Sequence, residues 1–122
     1  MPEVLIVDDS PDLRNVLEYT LSDLGFSVRQ AKDGIDALDA LDDHEPDCIV
    51  LDLMMPDMDG FKVLTEMRAR KLAPNARVVI LSSKDDERTL TRGFELHADE
   101  FFMKPVDPDV VASKISALIE AG

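Results

Sequence analysis

Three unbroken apolar runs, residues 4–7, 48–51 and 78–81, constrain this chain more than any other feature of its sequence. A strand with one wet face alternates apolar and polar residues. A strand covered on both faces reads as a continuous apolar run, the pattern of a parallel sheet sandwiched between helices. Each run stops at a polar residue: Asp8 and Asp9 after the first, Asp52 after the second, Ser82 after the third. Ligands of open α/β sheets bind outside the carboxyl ends of the strands, so these residues stand where chemistry is expected.

The segments between the runs read as helices. Ser10-Pro11 supplies a cap and a first helical residue, Leu13, Val16, Leu17, Thr20, Leu21 and Leu24 recur at helical spacing, and Gly25 supplies the stop. Phe26, Val28 and Gln30 alternate with Ser27 and Arg29, which predicts a half-exposed strand near a sheet edge. Asp33-Gly34 opens a helix with Ile35, Leu38 and Leu41 on its apolar side, ending before Pro46. Phe61, Val63, Leu64 and Met67 predict another, ending before Pro74. After Ser82-Ser83 comes a helix with Asp85 as its cap, and Gly93 inside it costs about 1 kcal/mol relative to Ala. Residues 101–103 form a short last strand leading into Lys104-Pro105. Asp107-Pro108 then opens a helix with Val111, Ile115, Leu118 and Ile119 on one face. Strand and helix alternate about five times without a linker, so residues 1–122 read as one α/β domain with a parallel sheet.

Composition narrows the partners. A formal net charge of −13 disfavours nucleic acid and anionic membranes, because phosphate contacts need Lys and Arg. The single cysteine, Cys48, rules out an intrachain disulfide and reads as inert packing. No signal peptide and no membrane-spanning run is legible, and a cytoplasmic location is expected.

Right-handed crossovers bring every carboxyl end to one sheet edge, where Asp8, Asp9, Asp52, Ser82 and Lys104 converge. Two unit charges at ~4 Å repel by about 4 kcal/mol at an effective dielectric near ~20, so three carboxylates need raised pKa values or a cation. An all-oxygen set suits Mg²⁺, which keeps several waters and takes one or two carboxylates plus phosphate oxygens. Lys104 and the Ser82 hydroxyl would hold the remaining oxygens of a phosphoryl group. His and Cys are missing from the site, which gives soft-metal chemistry no support.

In these residues the chain resembles the receiver domain of two-component response regulators over essentially its whole length. The resemblance rests on Asp8-Asp9, on the segment from Asp52 through Met54, Pro56 and Asp57 to Gly60, on Ser82, and on the run from Ala98-Asp99 to Lys104-Pro105. It implies a five-stranded parallel sheet of order 2-1-3-4-5 with helices on both faces. It also implies that Asp52 accepts a phosphoryl group from a histidine kinase or phosphotransfer protein. The Asp9 and Asp52 side chains and the main-chain carbonyl of Met54 would bind Mg²⁺, with Asp8 acting through water. Lys104 would pair with phosphoryl oxygens, Ser82 would be the switch hydroxyl, and Phe101 the aromatic that turns inward on activation. The signal would leave through helix four, strand five and helix five, toward a downstream protein or an output domain of the same protein. Monomer and phosphorylation-dependent dimer both stay open. The sequence ends at Gly122 after the last helix and carries no output domain, so a stand-alone regulator and a piece of a longer one both fit.

Other readings fit these residues less well. Caps and solvated charge account for Asp57, Asp59, Asp85 and Asp86, whereas Asp8, Asp9 and Asp52 each follow an apolar strand. His44 and His97 read as surface residues, and Phe101 as core as well as switch. A Mg²⁺-dependent aspartyl phosphohydrolase would want a second Asp where Met54 stands. A flavin or nucleotide binder would want a Gly- or Ser-rich phosphate loop in place of Asp8-Asp9. A Ser82–Lys104 acyl-transfer pair leaves the carboxylates unexplained, and intact acidic residues argue against a module that is never phosphorylated. Three departures from the family's pattern carry expectations. His97 stands where the family has Gly, so left-handed backbone there falls on a side chain. Met54 and Lys84 flank the path of the hydrolytic water by resemblance; an apolar Met54 and a cationic Lys84 predict slow self-dephosphorylation.

Overall fold

The computed structural model describes residues 2–56, 58–83 and 87–121. The expected cap Asp85, the charges Asp57 and Asp86, and Lys84 lie outside the described residues. Strands β1 (Glu3–Val7), β2 (Ser27–Ala31), β3 (Cys48–Asp52), β4 (Arg77–Ser82) and β5 (Glu100–Met103) alternate with helices α1 (Pro11–Asp23), α2 (Gly34–Asp43), α3 (Gly60–Ala69), α4 (Glu87–Glu95) and α5 (Pro108–Ala121). All neighbouring strands are parallel, in the order β2-β1-β3-β4-β5.

The unbroken apolar runs are explained by two cores, one on each face of the sheet. Val4, Ile6, Cys48, Val50, Val79 and Leu81 pack against Leu17 and Leu21 of α1 and Val111, Ala112 and Ile115 of α5. The intervening residues Leu5, Val7, Ile49, Leu51, Val78 and Ile80 pack against α2 and α3 through Leu38, Leu41, Leu64 and Met67. Because successive strand residues face opposite ways, three central strands covered on both sides carry polar residues only at their ends. β2 lies at the edge and is half-exposed as expected, but its one buried residue, Ala31, falls on the Ser27–Arg29 side of the alternation, while Val28 and Gln30 stay partly exposed.

Local chemistry sets the helix ends. Ser10 caps α1 by accepting from the Leu13 N–H, with Pro11 as first residue, and Gly25 follows the helix at φ 93°. Asp33 and Asp59 cap α2 and α3, and Asp107 Oδ1 accepts from the Asp109 N–H at the head of α5. The helical faces are narrower than their spacing suggested: Val16, Leu24 and Ile35 are exposed. Val16 is turned ~100° from the buried Leu17, and Ile35 ~200° from the buried Ala37, at 3.6 residues per turn. Leu24 lies beyond the last turn of α1. Helix α4 buries a single residue, Gly93, whose missing Cβ would stand 3.2 Å from Ile80 Cδ1. The glycine that weakens α4 thus lets it approach β4. Among the described residues no helix is long and apolar enough to cross a membrane.

Candidate functional site

Strand register brings the site together. Val7 pairs with Leu51, Asp52 with Leu81 and Ser82 with Met103, so Asp8, Asp52, Ser82 and Lys104 end at one edge of the sheet. Oxygens of Asp8, Asp9 and Asp52 all lie within 4.8 Å of one another. Asp8 is buried and every polar atom in it is held. Its N–H donates to the Ala31 carbonyl at 3.2 Å, and its own carbonyl accepts from Arg14 Nη1 at 2.6 Å. Its Oδ1 accepts from the Ser10 N–H at 2.8 Å and its Oδ2 from Lys104 Nζ at 3.0 Å. Asp9, next along, is exposed at the rim.

Asp52 is 0% exposed. Its Oδ1 accepts from the Met54 N–H at 3.0 Å. Lys104 Nζ stands 3.2 Å from Oδ2 as an ion pair, but without hydrogen-bond alignment, which leaves Oδ2 a buried oxygen lacking a directed donor. Burial pushes the Asp52 carboxyl up to about 6, helped by the Asp8 charge and opposed by the Met54 N–H and Lys104. For Lys104 burial works downward, yet the hydrogen bond to Asp8 and the charges of Asp52 and Asp8 outweigh it, and its pKa is raised. The turn after Asp52 is closed by Gly60: its N–H donates to the Leu53 carbonyl at 3.2 Å, and a Cβ there would collide with the Asp52 carbonyl oxygen. Only glycine fits that approach.

Ser82 is buried at the end of β4, and its carbonyl accepts from the Lys104 N–H at 2.7 Å, tying the β4 and β5 ends together. A pocket of about 510 Å³ opens beside it, lined by Met54, Met55, Pro56, Phe61 and Thr89 among others. Met54 presents a half-exposed apolar side chain to this rim. Phe101 does not join the carboxylates. It pairs with Ile80, two residues back from the edge, and packs partly buried against the α2–α3 core. His97 is exposed and left-handed at φ 65°, and Arg68 braces the turn by donating to the Leu96 and His97 carbonyls at 3.0 and 3.1 Å. Burial pushes the Cys48 thiol far up, which suits inert packing.

Arg14 is the site neighbour that sequence reading missed. A cation in the first turns of a helix opposes the macrodipole, and that mismatch was the available signal of a specific partner.

The donor set fits a hard divalent cation. Asp52 Oδ2 is buried and, though ion-paired with Lys104, accepts no aligned hydrogen bond; Asp9 is exposed beside it, and every candidate ligand atom is oxygen. With both Asp8 oxygens engaged, Asp9 and Asp52 are the side chains that would hold the ion directly. A crevice of about 570 Å³ lined by Arg68, Arg77, His97 and Asp99 has its charges already paired, Arg77 with Asp99 at 3.4 Å and Arg68 with the two carbonyls.

Comparison with known proteins bears on the family and the fold. The family model described as response regulator receiver domain matches residues 4–116. The transcriptional regulatory protein SrrA of Staphylococcus aureus is 36% identical over 117 residues, covering 96% of this chain but 47% of SrrA, so the chain spans about half the length of that relative. The chemotaxis protein CheY4 of Vibrio cholerae superposes with a TM-score of 0.89 at 28% identity, covering 96% of this chain and 98% of CheY4. A BeF3-activated receiver domain of DrrB superposes at 0.86 with 26% identity, covering 98% of each chain.

Proposed function

The chain belongs to the response regulator receiver domain family, and from that premise we propose that it is a signalling switch whose phosphoacceptor is Asp52. The donor is a phosphohistidine of a histidine kinase or phosphotransfer protein. The observation that carries the assignment is Asp52 Oδ2: buried at the end of a central strand, without a hydrogen-bond donor, beside Lys104. With its pKa near 6, the carboxyl is ionised about ten to one at pH 7. An Asp52 oxygen attacks phosphorus, the P–N bond breaks with its electron pair leaving on the imidazole nitrogen, and an acyl phosphate remains. Mg²⁺ held by Asp9 and Asp52, with the Met54 carbonyl and Asp8 through water, would neutralise charge on the transferring oxygens. Lys104 orients the acceptor and meets the new oxygens, and Ser82 supplies a hydroxyl. The chain is a phosphoacceptor that takes part in its own phosphorylation and hydrolysis rather than an enzyme with turnover.

The phosphoryl group brings about two negative charges and three acceptor oxygens. These draw Lys104 and Ser82 inward, and the bond from the Lys104 N–H to the Ser82 carbonyl makes the two strand ends move together. Phe101, packed beside Gly93 of α4, transmits that movement to the α4–β5–α5 surface. The partner there is a downstream protein or an output domain of the same protein, and the setting is cytoplasmic, within residues 1–122 as one domain.

The test is intact mass after incubation with acetyl phosphate and MgCl₂, with Asp52→Asn and a chelator as controls. One phosphoryl group gained, and lost in both controls, supports the proposal. No gain in folded, Mg²⁺-binding protein overturns it, and continuous phosphate release would point instead to a phosphohydrolase.

A further inference from the structure

We infer that Arg14 is a positioning residue for the divalent-cation site, fixing the Asp8–Asp9 peptide through the Asp8 carbonyl. The inference rests on the reading of Asp9 and Asp52 as the cation's carboxylates. Arg14 is the fourth residue of α1 and half-buried. Two donors of its rigid guanidinium are used at once: Nη1 on the Asp8 carbonyl at 2.6 Å and Nε on Gln30 Oε1 at 2.9 Å. Gln30 is itself oriented, because its amide nitrogen donates to Glu18 Oε1 at 2.8 Å and Asn15 Oδ1 at 3.2 Å. The chain of contacts therefore runs from α1 to Gln30 of the edge strand β2, back to Arg14 of α1, and on to the Asp8–Asp9 peptide just after β1.

That peptide matters because it carries Asp9. Asp8 is pinned at its N–H by Ala31 and at its carboxylate by Ser10 and Lys104, so its carbonyl is the remaining point at which the Asp8–Asp9 plane can tilt. Asp9 has an exposed side chain whose placement depends on the backbone beneath it. Holding the Asp8 carbonyl sets where the Asp9 carboxylate meets the ion, as outer partners of metal ligands do. Lysine could substitute only in part, since a single ammonium lacks the planar fork that spans carbonyl and amide. Charge alone predicts the reverse: a cation near the site repels Mg²⁺, so removing it as a mere charge would tighten binding.

The experiment titrates the full chain with MgCl₂ at constant ionic strength, followed by amide NMR shifts around Asp9 and Asp52. Arg14→Met is expected to weaken Mg²⁺ binding about tenfold or more, with smaller losses for Arg14→Lys and Gln30→Leu. The ¹³C resonance of the Asp8 carbonyl should move in the metal-free Arg14→Met and Gln30→Leu proteins. Arg68→Met, which removes a comparable structural arginine far from the site, should lower melting temperature and leave Mg²⁺ binding unchanged. Unchanged or tighter binding in folded Arg14→Met overturns the inference. Should that variant not fold, unchanged binding in both Arg14→Lys and Gln30→Leu does the same. A wild type that binds no Mg²⁺ at these carboxylates would refute the site reading itself, a distinct result.

Discussion

Replacing Asp52, the proposed acceptor, should make the protein more stable. The Asp52 carboxyl has a folded pKa of about 6 against an ordinary value of 3.8, chiefly because it is buried. The folded state therefore holds a proton more tightly than the unfolded chain, and this stability, present below pH ~4, is lost as pH rises through ~6. At pH 7 the linkage relation puts the cost of ionised Asp52 at about 3 kcal/mol, falling to about 1 kcal/mol at pH 4.5. Asp52→Asn removes that cost and keeps an oxygen for the Met54 N–H, but its amide nitrogen would face Lys104, which returns part of the gain. A net stabilisation of about 1–3 kcal/mol at pH 7 is expected, shrinking at pH 4.5. Urea denaturation of both proteins in chelator at the two pH values measures it, since other titrating groups cancel in the difference. Saturating Mg²⁺ should then narrow the gap, because the ion stabilises the wild type and binds the variant weakly. A variant that is less stable at pH 7 without metal, or a gain that does not change between pH 7 and 4.5, would refute the electrostatic account of Asp52.

The remaining expectations concern single residues around the same edge. Met54→Asn should hasten loss of the acyl phosphate by roughly tenfold by giving the attacking water a polar neighbour, timed by the decay of the phosphorylated mass; an unchanged lifetime would remove Met54 from that role. Gly60→Ala, whose Cβ would press on the Asp52 carbonyl oxygen and on Leu53 Cα, should cost at least about 1–3 kcal/mol in denaturant unfolding. A neutral result would mean the turn is softer than its geometry. His97→Gly relieves left-handed backbone at φ 65° and should stabilise by about 1 kcal/mol, read by the same method. A loss there would show that the His97 side chain has a contact worth more than its strain.

How much of this was legible in the sequence depended on whether a local rule or a tertiary contact decided the position. Apolar runs at residues 4–7, 48–51 and 78–81 foretold central strands because double-sided burial leaves no room for a polar residue. Cap residues foretold helix starts at Pro11, Gly34 and Pro108 because capping is settled within three residues. The strand order 2-1-3-4-5 came only through family resemblance, since periodicity says which faces are covered but not which strands adjoin. The outward turn of Val16 and Ile35 escaped because helical spacing marks candidates for a buried face, and the neighbours decide its width. Arg14 and Arg68 each reach backbone carbonyls, and a carbonyl has no sequence signature; only Arg14 left a trace, as a cation misplaced in the first turns of a helix.

Burial also decides which part of the proposed output surface moves. Shifting a two-state element from 1:99 to 99:1 requires about 5.5 kcal/mol of preference for one state. Two or three charge-assisted hydrogen bonds from Lys104 and Ser82 to a phosphoryl group, at about 1.5–3 kcal/mol each, supply that scale and little more. Helix α5 is the costlier element to displace, because it buries Val111, Ala112 and Ile115, and fully burying a Val or Ile contributes about 1.5–3 kcal/mol each, a sum of the same order as the phosphoryl bonds supply. Helix α4 buries only Gly93, and the stack of Arg92 over Phe61, 4.3 Å from guanidinium to ring centre, adds about 0.5–1 kcal/mol at an exposed position. The chain thus uses its apolar residues to hold α5 and leaves α4 lightly attached beside Ser82. On the proposed reading, phosphorylation at Asp52 would shift α4 more readily than α5, with Phe101 already in contact distance of Gly93 to carry the movement.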